Sequence, residues 1–342
     1  MLSNAIPLYK NLEIMYRKKV GVVCGGYSSE YQISLQSGKN VFSELDRRKW
    51  QVFYIVLTKE SWTAEDDEKN IYTVSKGDFS LQRFNTSIKI DIIFNLVHGS
   101  FGENGQLAAL WELLEIPFSS CDSYNAGLTL NKRDCLVVLR EFGIPTAKHY
   151  KLDQGDNLEP KTIIDCVGLP CFVKANRAGS SFGVFKAYNK DELVDAIEKA
   201  FKEDSQLIIE SFLDGREVSV GMVRIDNEIC VLPITEIISE NDFFDFSAKY
   251  EEQSEEITPA KISNHWKDNL EKLSKKIYSK LGLKGIIRSE FIFVNDLPHI
   301  LEINSVPGMT PKSIIPQQIS ALGVEFSEFL TKILIQTELS KK

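Results

Sequence analysis

A valine-rich run, KVGVVC at residues 19–24, stops at Gly25-Gly26, and a helical period begins near Ile33. Strand, glycine turn and helix in that order restrict the fold more than any other local pattern here, because a strand leading directly into a helix feeds a parallel sheet. Two further β-rich runs, QVFYIVLT at 51–58 and DIIFNLVHG at 91–99, follow at separations long enough for crossovers. Together they predict a parallel α/β domain over residues 16–120. At 342 residues the chain is too long for one ordinary core, so two or three packed domains are expected.

Residues 131–142, NKRDCLVVLREF, read as a helix that Gly143 and Pro145 terminate. A linker helix and a small mixed unit are expected over 121–218, with strand PCFVKA, glycine-rich loop NRAGSSFG, helix DELVDAIEKAF and strand QLIIESF. The remainder, 219–342, holds strands SVGMVRI, ICVLPITEI, GIIRSEFIFV and HILEIN, with long helices near 264–281 and 324–338. Between Glu236 and Pro259 runs an acidic, aromatic stretch without a sustained period, EIISENDFFDFSAKYEEQSEEITP, which reads as a long surface loop. Loops of that length are usually functional or disordered.

With 48 acidic and 40 basic residues the net charge is -8, and the lysines are scattered, which argues against a nucleic-acid or anionic-membrane surface. A small-molecule partner is expected instead. The cysteines, Cys24, Cys121, Cys135, Cys166, Cys171 and Cys230, lie mostly in apolar runs without CxxC spacing, so they read as small buried hydrophobes of a reducing compartment. No apolar run approaches the roughly 20 residues that span a bilayer. Pro7 and Glu13 interrupt what a signal peptide would keep apolar, so residues 1–15 read as an extension outside the fold and the location as cytoplasmic.

Glu302 and Asn304 in LEIN are two apart on a strand, so both face one site while Leu301 and Ile303 face the core. Carboxylate and carboxamide oxygens suit Mg²⁺. Glu290 in IIRSEFIFV, on a strand expected to pair with LEIN through the turn VNDLPH, is a third donor, and Arg288 shares its face. Each carboxylate alone also reads as the polar face of a half-exposed strand; together they favour an oxygen cage beside a cation, since charges in apolar strands need partners.

Lys174 ends an apolar strand, where an ammonium can meet a phosphate, and the following loop Asn176–Gly183 can cover phosphates with backbone N–H groups or serve as an ordinary connection. Neither GxxxxGK[ST] nor GxGxxG occurs. Glu210 ends QLIIE and Glu217 follows a glycine turn, a pattern open to both a nucleotide edge and a plain hairpin. Glu30 in GGYSSE either holds an ammonium or caps the next helix, and His98 taken alone reads as structural.

In this order, GGYSSEYQISLQSG, LVHGSFGENGQLAALWELLEIPFSS, VKANRAGSSFG, IESFLDGREVSV, FDFSAKY and LEINSVPGMTPKS resemble the D-alanine-D-alanine ligase family of the ATP-grasp superfamily over residues 18–338. The resemblance implies a three-domain ATP-grasp architecture: the N-terminal parallel α/β domain, a small mixed α+β domain, and a C-terminal α+β domain with the metal site and an active-site loop at 240–255. It implies ATP, two Mg²⁺ ions with Mn²⁺ as a substitute, D-alanine as substrate, and a product used for peptidoglycan. Members are commonly homodimers.

By position, the resemblance implies that Lys132, Lys174 and Ser181 bind ATP phosphates, that Glu210 and Leu213 lie at the adenine, and that Glu217 takes the ribose. Glu290, Glu302 and Asn304 would hold the metal ions. Glu30 would take the first D-alanine's ammonium, linked to Ser180 and Tyr250, with His98 among the substrate contacts, and Lys249 would reach the γ-phosphate. Arg288 and the Gly308 backbone would stabilise an oxyanion, Ser313 would hold the second substrate's carboxylate, and Ile314 with Tyr250 resembles D-alanine-specific members.

Three positions depart from the family pattern. Ala178 stands where many members carry glutamate, Glu290 replaces a common aspartate, and Ala175-Asn176 follow Lys174 where many have proline. Two other readings stay open: an ATP-grasp ligase with D-serine, D-lactate or an L-amino acid as second substrate, and an inactive nucleotide-binding regulator.

Overall fold

The structure is a computed structural model that describes residues 17–179, 182–239 and 254–339. Its first sheet contains β1 (Lys18–Gly25), β2 (Trp50–Leu57), β3 (Trp62–Glu65), β4 (Ile71–Val74), β5 (Leu81–Arg83), β6 (Thr86–Ile88) and β7 (Ile92–Asn95), in spatial order β6-β5-β4-β3-β2-β1-β7. The three strands read from the sequence are its parallel centre, with β1 pairing β2 on one side and β7 on the other. At the end of β1, Gly25 has φ +91° and a Cβ there would lie 2.6 Å from the Leu57 carbonyl oxygen, so only glycine turns the chain into α1 (Tyr31–Glu44). Strands β3 to β6 are an antiparallel extension that the sequence reading did not anticipate. They are three or four residues long, too short for alternation to register, and turns at Lys69 and Phe84 take positive φ without a glycine to mark them.

Helices α2 (Gln106–Leu113), α3 (Ser123–Leu130) and α4 (Lys132–Glu141) lead to a second sheet of β8 (His149–Asp153), β9 (Cys171–Ala175), β10 (Val184–Ala187) and β11 (Gln206–Ser211), ordered β10-β9-β11-β8. Its helices, α5 (Pro160–Val167) and α6 (Lys190–Ala200), bury Ile163, Leu193 and Ile197 with Val173, Leu207 and Ile209 in a core of its own.

The third sheet comprises β12 (Arg216–Ile225), β13 (Glu228–Val231), β14 (Thr235–Ser239), β15 (Ser254–Ile257), β16 (Ile286–Val294) and β17 (Leu297–Asn304), with β12 pairing β13, β14 and β16. The run ICVLPITEI, expected as one strand, is divided between β13 and β14 around Pro233, which has no N–H to give a ladder. Helix α7 (Asn264–Lys280) covers this sheet, and α8 (Ile314–Ala321) and α9 (Phe326–Leu339) follow it. Helix α8 escaped the sequence reading because Pro316 interrupts its period, yet proline in a first turn removes no intrahelical bond.

The C-terminal helices return to the first sheet. Ile315 and Ile319 of α8 and Phe329, Leu330, Ile333 and Leu334 of α9 share one buried cluster with Val20, Val22, Val52, Ile92 and Phe94. The first and last parts of the chain thus form one core, and the edge where they meet carries the polar groups described next.

Candidate active site

Asn295 and Asp296, with φ 48° and 65°, make the two-residue turn between β16 and β17, and both tolerate the left-handed conformation that a tight hairpin needs. The turn and the ladder it closes set a register in which Arg288 faces Asn304 and Glu290 faces Glu302, so all four side chains share one face. A register shift between Glu290 and Phe291 leaves Leu301 without a partner; it is half-buried at this bulge rather than facing the core as expected, whereas Ile303 is buried.

Arg288 Nε donates to Glu290 Oε1 at 2.5 Å, and the other oxygen, Glu290 Oε2, is buried with no hydrogen-bond partner among the described residues. Such a buried carboxylate oxygen, directly across the ladder from a second carboxylate and two rungs, on the same face, from a carboxamide, fits a hard cation. Among the described residues no group of three or more His, Cys, Asp or Glu could hold a metal ion, so the donor set depends on Asn304.

The phosphate-facing candidates lie on two neighbouring elements. Asn131 caps α4 by accepting from Asp134 N at 3.1 Å, so Lys132 occupies the first helical position. Lys132 Nζ donates to Ala178 O at 2.6 Å and lies 3.3 Å from Glu302 Oε2. Fully buried Asn176 ties the loop to the same helix end, accepting from Arg133 N through Oδ1 at 2.9 Å and from Lys132 N through its backbone oxygen at 3.2 Å. On the second sheet Lys174 Nζ meets Glu210 Oε2 at 2.6 Å, and Glu210 Oε1 is buried without a hydrogen-bond partner among the described residues. Burial works against the Lys174 ammonium, but Glu210, Glu302 and Glu217 together outweigh it and raise its pKa. Glu217 is half-buried on β12, and Leu213 is half-buried in the connection before it.

Glu30 precedes α1, yet its side chain makes no capping hydrogen bond. The carboxylate sits between two glycine backbones: a Cβ on Gly179 would come within 2.6 Å of its Oε2 and one on Gly99 within 3.0 Å. Its neighbour His98 is buried, with Nδ1 donating to Val306 O at 2.8 Å and Nε2 3.5 Å from Ser37 Oγ. Burial lowers the His98 pKa against the pull of Glu30, so the ring is held neutral.

A cleft of about 900 Å³ joins these groups. Glu30, His98, Lys132, Arg288, Glu302, Asn304, Gly308, Ser313 and Ile314 line it, whereas Lys174, Glu210, Leu213, Glu217 and Glu290 are not among its lining residues. Ser313 does not cap α8; its Oγ accepts from Thr310 N at 3.1 Å and pairs with Thr310 Oγ1 at 2.8 Å. Ser180, Ser181, Lys249 and Tyr250 lie outside the described residues.

The sequence reading missed Glu103, which lines the cleft and is buried. Its Oε2 accepts from Gly99 N at 2.7 Å and its Oε1 from Val306 N at 3.2 Å. Burial, and then the negative charge of Glu30, push its carboxyl up to about 8. An acid flanked by glycines in GSFGENG was the available signal. Also missed were Ser37 and Asn40 of α1, and the Glu256–Gln317 pair, joined at 2.5 Å, in the cleft wall.

Two family models match the chain: the D-ala D-ala ligase N-terminus over residues 19–121 and the D-ala D-ala ligase C-terminus over 138–335. A D-alanine--D-alanine ligase of Flavobacterium johnsoniae is 48% identical over 317 residues, covering 93% of this chain and 98% of that protein. Among solved structures, the VanG D-Ala:D-Ser ligase of Enterococcus faecalis aligns with TM-score 0.82 and 30% identity over 94% of this chain and 99% of that one. The D-alanine--D-alanine ligase of Bacillus anthracis complexed with ATP aligns with TM-score 0.76 and 27% identity over 94% and 98%.

Proposed function

The chain belongs to the D-alanine-D-alanine ligase family, and from that premise we propose that it joins two D-alanines, with ATP as the energy source, into the dipeptide used for peptidoglycan precursors. The observation that carries the reading is the β16–β17 face, where Arg288 with Asn304 and Glu290 with Glu302 lie two rungs apart on the same side, at the cleft that Glu30 and Lys132 also line.

A carboxylate does not condense with an amine at neutral pH, because the oxygen to be expelled is a poor leaving group. Transfer of the γ-phosphoryl group to the first D-alanine's carboxylate makes that oxygen leave as phosphate. Glu30, the carboxylate between Gly99 and Gly179, suits the ammonium of this first substrate. Lys132 and Lys174 suit the phosphates, the second because its neighbours keep it charged. The attack of the second D-alanine's amine builds negative charge on the carbonyl oxygen, which the Arg288 guanidinium and the Gly308 N–H would stabilise. Ser313 and Ile314, at the start of α8, border the second substrate, and His98 supports the turn opposite. Mg²⁺, held by Glu290, Glu302 and Asn304, would neutralise the phosphate charge; we propose two such ions, with Mn²⁺ as a substitute.

Tyr250, Ser180, Ser181 and Lys249 keep the roles that the family resemblance implies. No described helix is long and apolar enough to cross a membrane. A cytoplasmic location, where ATP is available, and a homodimer complete the proposal.

Phosphate release from ATP, measured with D-alanine, L-alanine, D-serine, D-lactate or no acceptor and combined with product mass, tests this reading. D-alanine is expected to give D-alanyl-D-alanine and Glu302→Ala to abolish release. D-alanine-independent turnover, release with D-serine or D-lactate only in combination with D-alanine, or full activity in the variant would each overturn the corresponding part.

A further inference from the structure

We propose that Ser37, Asn40, His98 and Glu103 form a clamp that positions the turn Ser305–Thr310 for the amine-attack half of the reaction, an inference that rests on the ligase reading above. All four side chains lie on α1 or on the segment between β7 and α2, and each reaches more than 200 residues along the chain to its partner. The Asn40 amide nitrogen donates to Met309 O at 2.7 Å, and Met309 N donates to Ser37 Oγ at 3.1 Å. On the other flank His98 Nδ1 donates to Val306 O at 2.8 Å, and Val306 N donates to Glu103 Oε1 at 3.2 Å.

Both polar backbone groups of Val306 and both of Met309 are therefore held by side chains from the first part of the chain. Between them, Pro307 has no N–H, and the Gly308 N–H makes no hydrogen bond among the described residues. Gly308 is half-buried and lines the cleft, while Val306, Pro307 and Met309 are buried. The clamp fixes the residues on either side of Gly308, whose backbone faces the cleft between them.

The two flanks are also connected. A carbonyl oxygen can only accept, so His98 Nδ1 carries the proton and Nε2 is left to accept from the Ser37 hydroxyl, 3.5 Å away. Hydrogen bonds thus run from Met309 N through Ser37 and His98 to Val306 O. Displacement of one flank is passed to the other, which is what a positioning device requires and what isolated surface bonds would not provide.

In the step concerned, the amine nitrogen attacks the acyl carbon, the C–N bond forms, and the C–O bond to phosphate breaks, with the departing phosphate taking the electron pair and the proton that the nitrogen loses. Water attacking the same carbon returns the carboxylate and also releases phosphate. A loosened turn slows the first route without helping the donor sites that bind ATP, so the ratio of phosphate to dipeptide distinguishes positioning from general damage.

The test uses the full chain with saturating ATP, Mg²⁺ and D-alanine, with phosphate and D-alanyl-D-alanine quantified in one sample. The unaltered protein is expected to release one phosphate per dipeptide. Asn40 is half-buried, so Asn40→Ala is compatible with folding; loss of its bond is expected to slow the amine step roughly fivefold, equivalent to about 1 kcal/mol, and to raise the ratio above one with KM for ATP unchanged. Ser37→Ala, on the same flank but linked to His98, is expected to act in the same direction, and Lys39→Ala, exposed on the same helix, to leave the ratio at one. A ratio of one in both clamp variants overturns the clamp whatever their rates. Absence of dipeptide from the unaltered protein would instead overturn the ligase reading, and the clamp's purpose with it.

Discussion

Glu103 shows how far burial can move a single group: its carboxyl, ordinarily near 4.5, is pushed up to about 8 by desolvation and then by Glu30. The sign of the consequence follows from proton counting. Between these two values the folded protein holds a proton that the unfolded chain has released, so the Glu103 contribution to stability falls as pH rises through that window and levels off above it. Glu103→Gln removes the titration, so the melting temperature of the variant relative to the parent is expected to rise with pH from about 4.5 to about 8. Melting curves across that range check it; a difference that does not change with pH contradicts the protonated state. Glu103 showed in the sequence only as an acid flanked by glycines, because its partner, Val306, is 203 residues away. Glu302 and Asn304 were legible because strand alternation is local, as were Glu290 and Arg288 through the hairpin that joins them.

Among the elements, α4 is the helix whose N-terminus places a lysine at the cleft. Its cap, Asn131, accepts from Asp134 N, and the next residue, Lys132, reaches both Ala178 and Glu302. Asn131→Ala is expected to cost about 1 kcal/mol of stability, the usual loss for a helix cap. Because the first turn holds Lys132, KM for ATP is expected to rise while ligation per ATP stays unchanged; unchanged ATP affinity would separate the cap from the site. This helix was read from the sequence to within a residue, since its apolar period is bounded by Gly143 and Pro145. Strands β3 to β6 and helix α8 were not, because strands of three or four residues show no period and Pro316 hides a helix start. The bulge at Leu301 was equally silent, since alternation presumes an unbroken register.

Over the whole molecule, the chain closes on itself. Phe329, Leu330, Ile333 and Leu334 of the last helix fill the face of the first sheet. Burial of four such side chains is worth roughly 6–12 kcal/mol, comparable with the entire stability of a domain. Leu330→Ala is expected to destabilise by about 2–5 kcal/mol in denaturant unfolding, and a loss below about 0.5 kcal/mol would mean that α9 does not belong to that core. The same closure brings Ser37, Asn40, His98 and Glu103 to the turn after β17, so the core and the site depend on one arrangement. No local pattern could reveal that; only the resemblance of the ordered motifs pointed to a site assembled from both ends of the chain.

In the proposed reaction the first D-alanine's carboxylate is activated by phosphoryl transfer before the amine joins it. D-alanine labelled with ¹⁸O in its carboxylate, incubated with the protein and ATP, tests this through the mass of the released phosphate. One labelled oxygen in each phosphate formed alongside D-alanyl-D-alanine is the expected result; dipeptide formed with unlabelled phosphate would contradict it.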